Sequence, residues 1–67
     1  GDENNKNEPK IMLAEVFAQE IGGIVYYLDN HSHVFSTEDV MQNKENPRVI
    51  ATYILQDGVY HIPAFGI

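Results

Sequence analysis

The sequence predicts an α+β fold, with one N-terminal amphipathic helix packed on a small antiparallel meander of three to four strands. Three observations lead there. Leu13, Phe17 and Ile21 recur four apart in an apolar stretch closed by Gly22-Gly23, the spacing of one helical face with a glycine stop. Two β-branched and aromatic runs, Ile24 to Asp29 and Arg48 to Gln56, read as strands. Asp57-Gly58 then separates the second run from a third, Val59 to Pro63, as a two-residue hairpin turn does.

Taken in chain order, residues 1–8 (GDENNKNE) hold no hydrophobic side chain and read as a disordered tail or linker. Residues 9–67 form a single domain. Pro9 suits the first helical turn, with Asn7 or Glu8 as the cap. The helix is predicted over Lys10 to Ile21, widened by Ala14 and Val16. Ile11, Met12 and Ala18 lie outside its main stripe, so the helix has apolar surface to spare. Asn30 to His33 is a polar loop between the strand Ile24 to Asp29 and a returning strand Val34 to Ser36.

Ser36 has the chemistry of a helix cap, with Asp39 placed to reach back and Phe35 and Val40 placed to form a hydrophobic staple. A short helix from Thr37 to Gln42 follows, then a loop over Asn43 to Pro47. In the last hairpin a type I′ turn at Asp57-Gly58 sets Leu55 opposite Tyr60, Tyr53 opposite Ile62 and Ala51 opposite Ala64. With Val49 these residues form the predicted core face, facing Phe17 on the helix.

Size and charge exclude several classes of function. A chain of 67 residues is one domain, and it buries only roughly 60% of the surface it exposes unfolded. Without cysteine it has neither a disulfide framework nor a thiolate metal site. Ten acids against four scattered bases give a formal charge of −6, which repels nucleic-acid phosphates and anionic membranes. No apolar stretch reaches signal-peptide or membrane-spanning length, so an intracellular location is the default. Gly1 in place of an initiator Met points to a piece of a larger protein.

Candidate chemistry is sparse. Asp29, His31 and His33 fall within five residues and offer oxygen and nitrogen ligands for a metal, although the spacing matches no known site. Ser32 and Ser36 lack the surroundings of an activated nucleophile, and Gly22-Gly23 lacks the lysine and hydroxyl of a phosphate loop. The run Gly23 to Ser32, with Glu38-Asp39 beyond it, resembles the second strand and turn of WW domains over about a quarter of the chain. That resemblance implies a hairpin and a groove for proline-rich peptides. Both signature tryptophans are absent, Thr37 stands where the second falls, and Val40 replaces the usual proline. We take from it a shared hairpin solution.

By elimination the sequence points to a non-catalytic protein-interaction or assembly module that needs no cofactor. Its partner is another protein with a basic surface, or a second copy of itself, and neither nucleic acid nor membrane. Ile11, Met12, Ala18, Val59, His61 and Phe65 are the candidate contact residues. The competing reading is a small metal- or ligand-binding domain built on Asp29, His31 and His33.

Overall fold

Gly22 and Gly23 set the topology. In the computed structural model, which describes residues 16–67, both have positive φ (61° and 88°). That is the backbone of a type I′ turn, whose twist matches the two strands it joins. Strand β1 (Phe17–Ile21) therefore runs back along β2 (Ile24–Leu28), with Ile21 opposite Ile24 and Phe17 opposite Leu28. This corrects the predicted N-terminal helix, because its last five residues are strand and its glycine stop is a hairpin turn. A spacing of four is shared by two periods: it is one helical turn and also two strand repeats. Phe17 and Ile21 therefore share a face in either conformation, and the tight turn decides for the strand. Residues 10–15 of the predicted helix, with Ile11 and Met12, lie outside the described residues, as do Pro9 and the predicted tail.

Among the described residues the fold is accordingly antiparallel β with one short helix. Strand β3 (His33–Phe35) follows β2, and helix α1 spans Thr37–Met41. Strands β4 (Val49–Thr52), β5 (Ile54–Gln56) and β6 (Val59–His61) come next, before a closing 3₁₀ turn at Pro63–Phe65. The first sheet has the order β1-β2-β3-β4, and β5 and β6 form a separate hairpin. Arg48 to Gln56, predicted as one strand, is interrupted at Tyr53, whose N–H donates to the Ser32 carbonyl at 2.9 Å.

The Asp57-Gly58 turn matches its prediction, with φ of 53° and 79° and with Leu55 opposite Tyr60. The predicted pairing does not continue past His61. There the chain folds on itself instead: Ile62 N–H donates to Ile67 C=O at 2.9 Å, and Ile67 N–H donates back at 3.3 Å.

The core is thin. Ile21, Leu28, Val34 and Ile62 are buried, ringed by partly buried Phe17, Tyr26, Ala51, Tyr53, Tyr60 and Ile67. Burying an aliphatic side chain contributes about 1.5–3 kcal/mol, so four of them leave a small margin. The C-terminal segment closes over the first sheet through its rings. Tyr60 lies 6.4 Å from Phe17 and 5.3 Å from Tyr53 between centroids, and Phe65 lies 5.9 Å from Tyr26. Phe17 thus meets the core from a strand. Val49 and Leu55, assigned to the core face from sequence, are about half exposed. Helix α1 touches β2, where Tyr27 Oη donates to Met41 Sδ at 3.8 Å.

Gly58 isolates one energetic quantity. A Cβ built there meets nothing within 4 Å, so the cost of a side chain is all backbone strain at φ 79°. Gly58→Val is expected to destabilise by about 1–3 kcal/mol, measured by denaturant or thermal unfolding. Unchanged stability would show that the turn is not the left-handed one described.

Candidate functional site

Asp29 organises the loop between β2 and β3. Its Oδ1 accepts from the backbone N–H of His31 at 2.9 Å and of His33 at 3.0 Å, and Oδ2 accepts from His33 Nδ1 at 2.9 Å. Its carbonyl accepts from Tyr53 Oη at 2.6 Å. Short polar side chains of this kind fold a turn by replacing backbone partners. Ser32 takes the strained position of the loop, with φ 72°.

Burial pushes the Asp29 carboxyl up, but the His33 ring and the two backbone donors outweigh it and hold it below its ordinary value. The structure thus brings Asp29 and His33 together as a turn, with both carboxylate oxygens already occupied. The rings of His31 and His33 are 6.5 Å apart. Among the described residues no group of three or more His, Cys, Asp or Glu is placed to hold a metal ion.

Asp39 is the second polar centre, only 2% exposed. Its own N–H donates to Ser36 Oγ at 3.2 Å, so Ser36 caps α1 as its sequence position predicts. The carboxylate does not reach back to the Ser36 N–H, which donates to the Arg48 carbonyl at 2.8 Å. It serves Arg48 instead: Oδ2 accepts from Arg48 N at 3.0 Å and Nε at 2.8 Å, and Oδ1 from Nη2 at 3.3 Å. Lys44 Nζ lies 3.2 Å from Oδ1. Hydrogen bonds from the Arg48 side chain and backbone outweigh burial and hold the Asp39 carboxyl far below the usual carboxylate range. The same contact raises Arg48 above its ordinary value.

Both bases among the described residues are therefore turned toward Asp39, and the remaining acids, such as Glu20, Glu38 and Asp57, give the surface its charge. A cleft of about 180 Å³ opens beside this centre, lined by Val16, Val40, Asn43, Lys44 and Pro47. It is smaller than the roughly 300–1,000 Å³ typical of small-molecule sites.

The apolar surface is more pronounced. Among the described residues Val49, Ile50, Ile54, Leu55, Val59 and Phe65 are all exposed, as are Ile24, Val25 and Met41. Of the contact residues predicted from sequence, Ala18, Val59 and Phe65 are exposed and His61 is half-buried. Val59 and His61 share the outer face of the β5–β6 hairpin with Ile54 and Gln56, since they pair directly with those two. Ala18 lies away from them on β1, and Phe65 stacks near Tyr26. Ile54 shares that face with Val59 and His61 and was not among the contact residues read from sequence, although alternation with Tyr53 and Leu55 places it there.

Asp39 is expected to control acid stability. Its folded value lies below its unfolded one, so its contribution is present above about pH 4 and is lost as pH falls further. Asp39→Asn should melt at a lower temperature at neutral pH, with the gap from the parent narrowing as pH falls from about 4. A gap that stays constant with pH would show that ionisation of Asp39 contributes nothing. Tyr53→Phe, which removes only the hydroxyl donor to the Asp29 carbonyl, is expected to cost about 1 kcal/mol in the same unfolding measurements.

No protein-family model matches the chain, and no curated protein and no solved structure is similar to it.

Proposed function

We propose that this domain is a non-catalytic protein-interaction module that docks a partner on the outer surface of its C-terminal half. One observation carries the reading. Four apolar side chains are buried among the described residues, while Val49, Ile50, Ile54, Leu55 and Val59 stand half exposed along β4 and the β5–β6 hairpin. Clustered exposure of this kind marks surfaces that are covered in a complex. Of these, Ile54 and Val59 share the outer face of the hairpin with His61. The net charge of −6 favours a partner with basic residues around an apolar centre, with association faster at low salt.

The test separates surface from core. Ile54→Lys combined with Val59→Lys should shift stability by no more than about 0.5 kcal/mol, as exposed substitutions do. The same pair should abolish capture of whichever protein the parent domain retains from its source cells. A loss of folding would return these residues to the core, and undiminished capture of that protein would move the interface elsewhere.

A further inference from the structure

A second surface stands apart from the apolar hairpin. Among the described residues strand β1 pairs only with β2, and no other described strand lies along its far side. The two-residue turn makes Ile21 and Ile24 a hydrogen-bonded pair, and alternation makes Gln19–Tyr26 and Phe17–Leu28 pairs of the same kind. The backbone N–H and C=O groups of Ala18 and Glu20 consequently point outward. Gln19 Nε2 donates to the Glu20 carbonyl at 3.2 Å, so a side chain stands where a strand would bond. Natural edges are guarded by charged side chains, proline, a bulge or a covering segment. β1 carries a single charge, Glu20, and neither lysine, proline nor a bulge, and its register with β2 is unbroken.

We propose that β1 is a self-association edge, to which a second copy of this chain adds its own β1 antiparallel about a two-fold axis at Gln19. The sequence Phe17-Ala18-Gln19-Glu20-Ile21 complements itself in that register. Phe17 of one copy meets Ile21 of the other on the core side, extending the apolar layer across the axis. Ala18 meets Glu20 on the opposite side, so the acids avoid each other. The outward groups of Ala18 and Glu20 then form about four interchain backbone hydrogen bonds. The first sheet becomes one continuous sheet through the dimer. An isologous contact of this kind closes on itself and stops at two chains.

The alternative occupant of the edge, a basic strand from another protein, responds oppositely to salt. Two copies at −6 repel, and added salt screens that repulsion, whereas it weakens the attraction to a basic partner.

Sedimentation velocity of the chain over about a hundredfold range of concentration, at low and high salt, tests the proposal. The expected result is a monomer–dimer equilibrium that tightens with salt. Ala18→Lys places a lysine opposite Glu20 of the other copy twice per dimer and should tighten it by about tenfold. Ala18→Glu should weaken it by about the same factor. Ala18→Pro removes an outward donor, spares the β1–β2 ladder and should leave only monomer. A monomer at every concentration overturns the proposal. So does a dimer on which the lysine and glutamate variants act alike, or one that responds to Ile54 and Val59 instead.

Discussion

The Asp39 carboxylate fixes the path of the chain between the two halves of the fold. It sits in the only α-helix among the described residues, a single short turn that has little stability of its own. Nine residues further on it binds the Arg48 backbone and guanidinium, at the point where β4 is about to begin. The Ser36 N–H holds the Arg48 carbonyl from the other side. The loop from Asn43 to Pro47 is thus closed by hydrogen bonds at its base, and β4 is delivered alongside β3 in register. Arg48 keeps much of its side chain in solvent, and the carboxylate beneath it is excluded from water. The carboxylate forms hydrogen bonds with both its oxygens, which makes a buried charge tolerable.

Asp29 does the corresponding work one strand earlier. Its carboxylate shapes the β2–β3 loop, and its carbonyl receives the Tyr53 hydroxyl from the junction of β4 and β5. The Tyr53 phenol is raised above its ordinary value by burial first, then by Tyr60 and Asp29. The neutral hydroxyl is therefore the form that keeps the junction closed, and it keeps a strand break where the sequence shows an unbroken β-branched run. The two aspartates divide the task. Asp39 sets where β4 starts, and Asp29 sets where it ends.

Local signals in the sequence were legible where a single residue type has one use. Ser36 was readable as a cap, and Asp57-Gly58 as a left-handed turn, because few alternatives suit those residues in those positions. The N-terminal stripe was not readable, because Leu13, Phe17 and Ile21 satisfy helix and strand periods equally. Gly22-Gly23 serves as well for a helix stop as for a type I′ turn. The strand after the glycines decides between them: Ile24, Val25 and Tyr26 need a pairing partner, and the residues before the turn are the nearest one. The break at Tyr53 depends on a hydrogen bond to a residue 24 positions away, which no local pattern encodes. The apolar outer surface was half legible. Val59 and His61 were singled out, while Ile54, which pairs with His61 on the same face, was not.

The large exposed aliphatic surface of the domain is a consequence of its size. A layer of short strands has two faces, and the described residues cover only one of them well. The C-terminal segment is spent on the inner face, where Ile62 and the ring of Tyr60 complete the core. The backbone bonds between Ile62 and Ile67 also occupy the edge just beyond β6, which shuts off strand addition past Tyr60. The two proposed docking surfaces are therefore the side chains of the hairpin face and the backbone edge of β1, whose Phe17 packs against Tyr60 of the hairpin. The two surfaces differ in what they read. As proposed, the hairpin would read shape and apolar area and β1 would read register, so a chain that used both could bind a partner and a copy of itself at once.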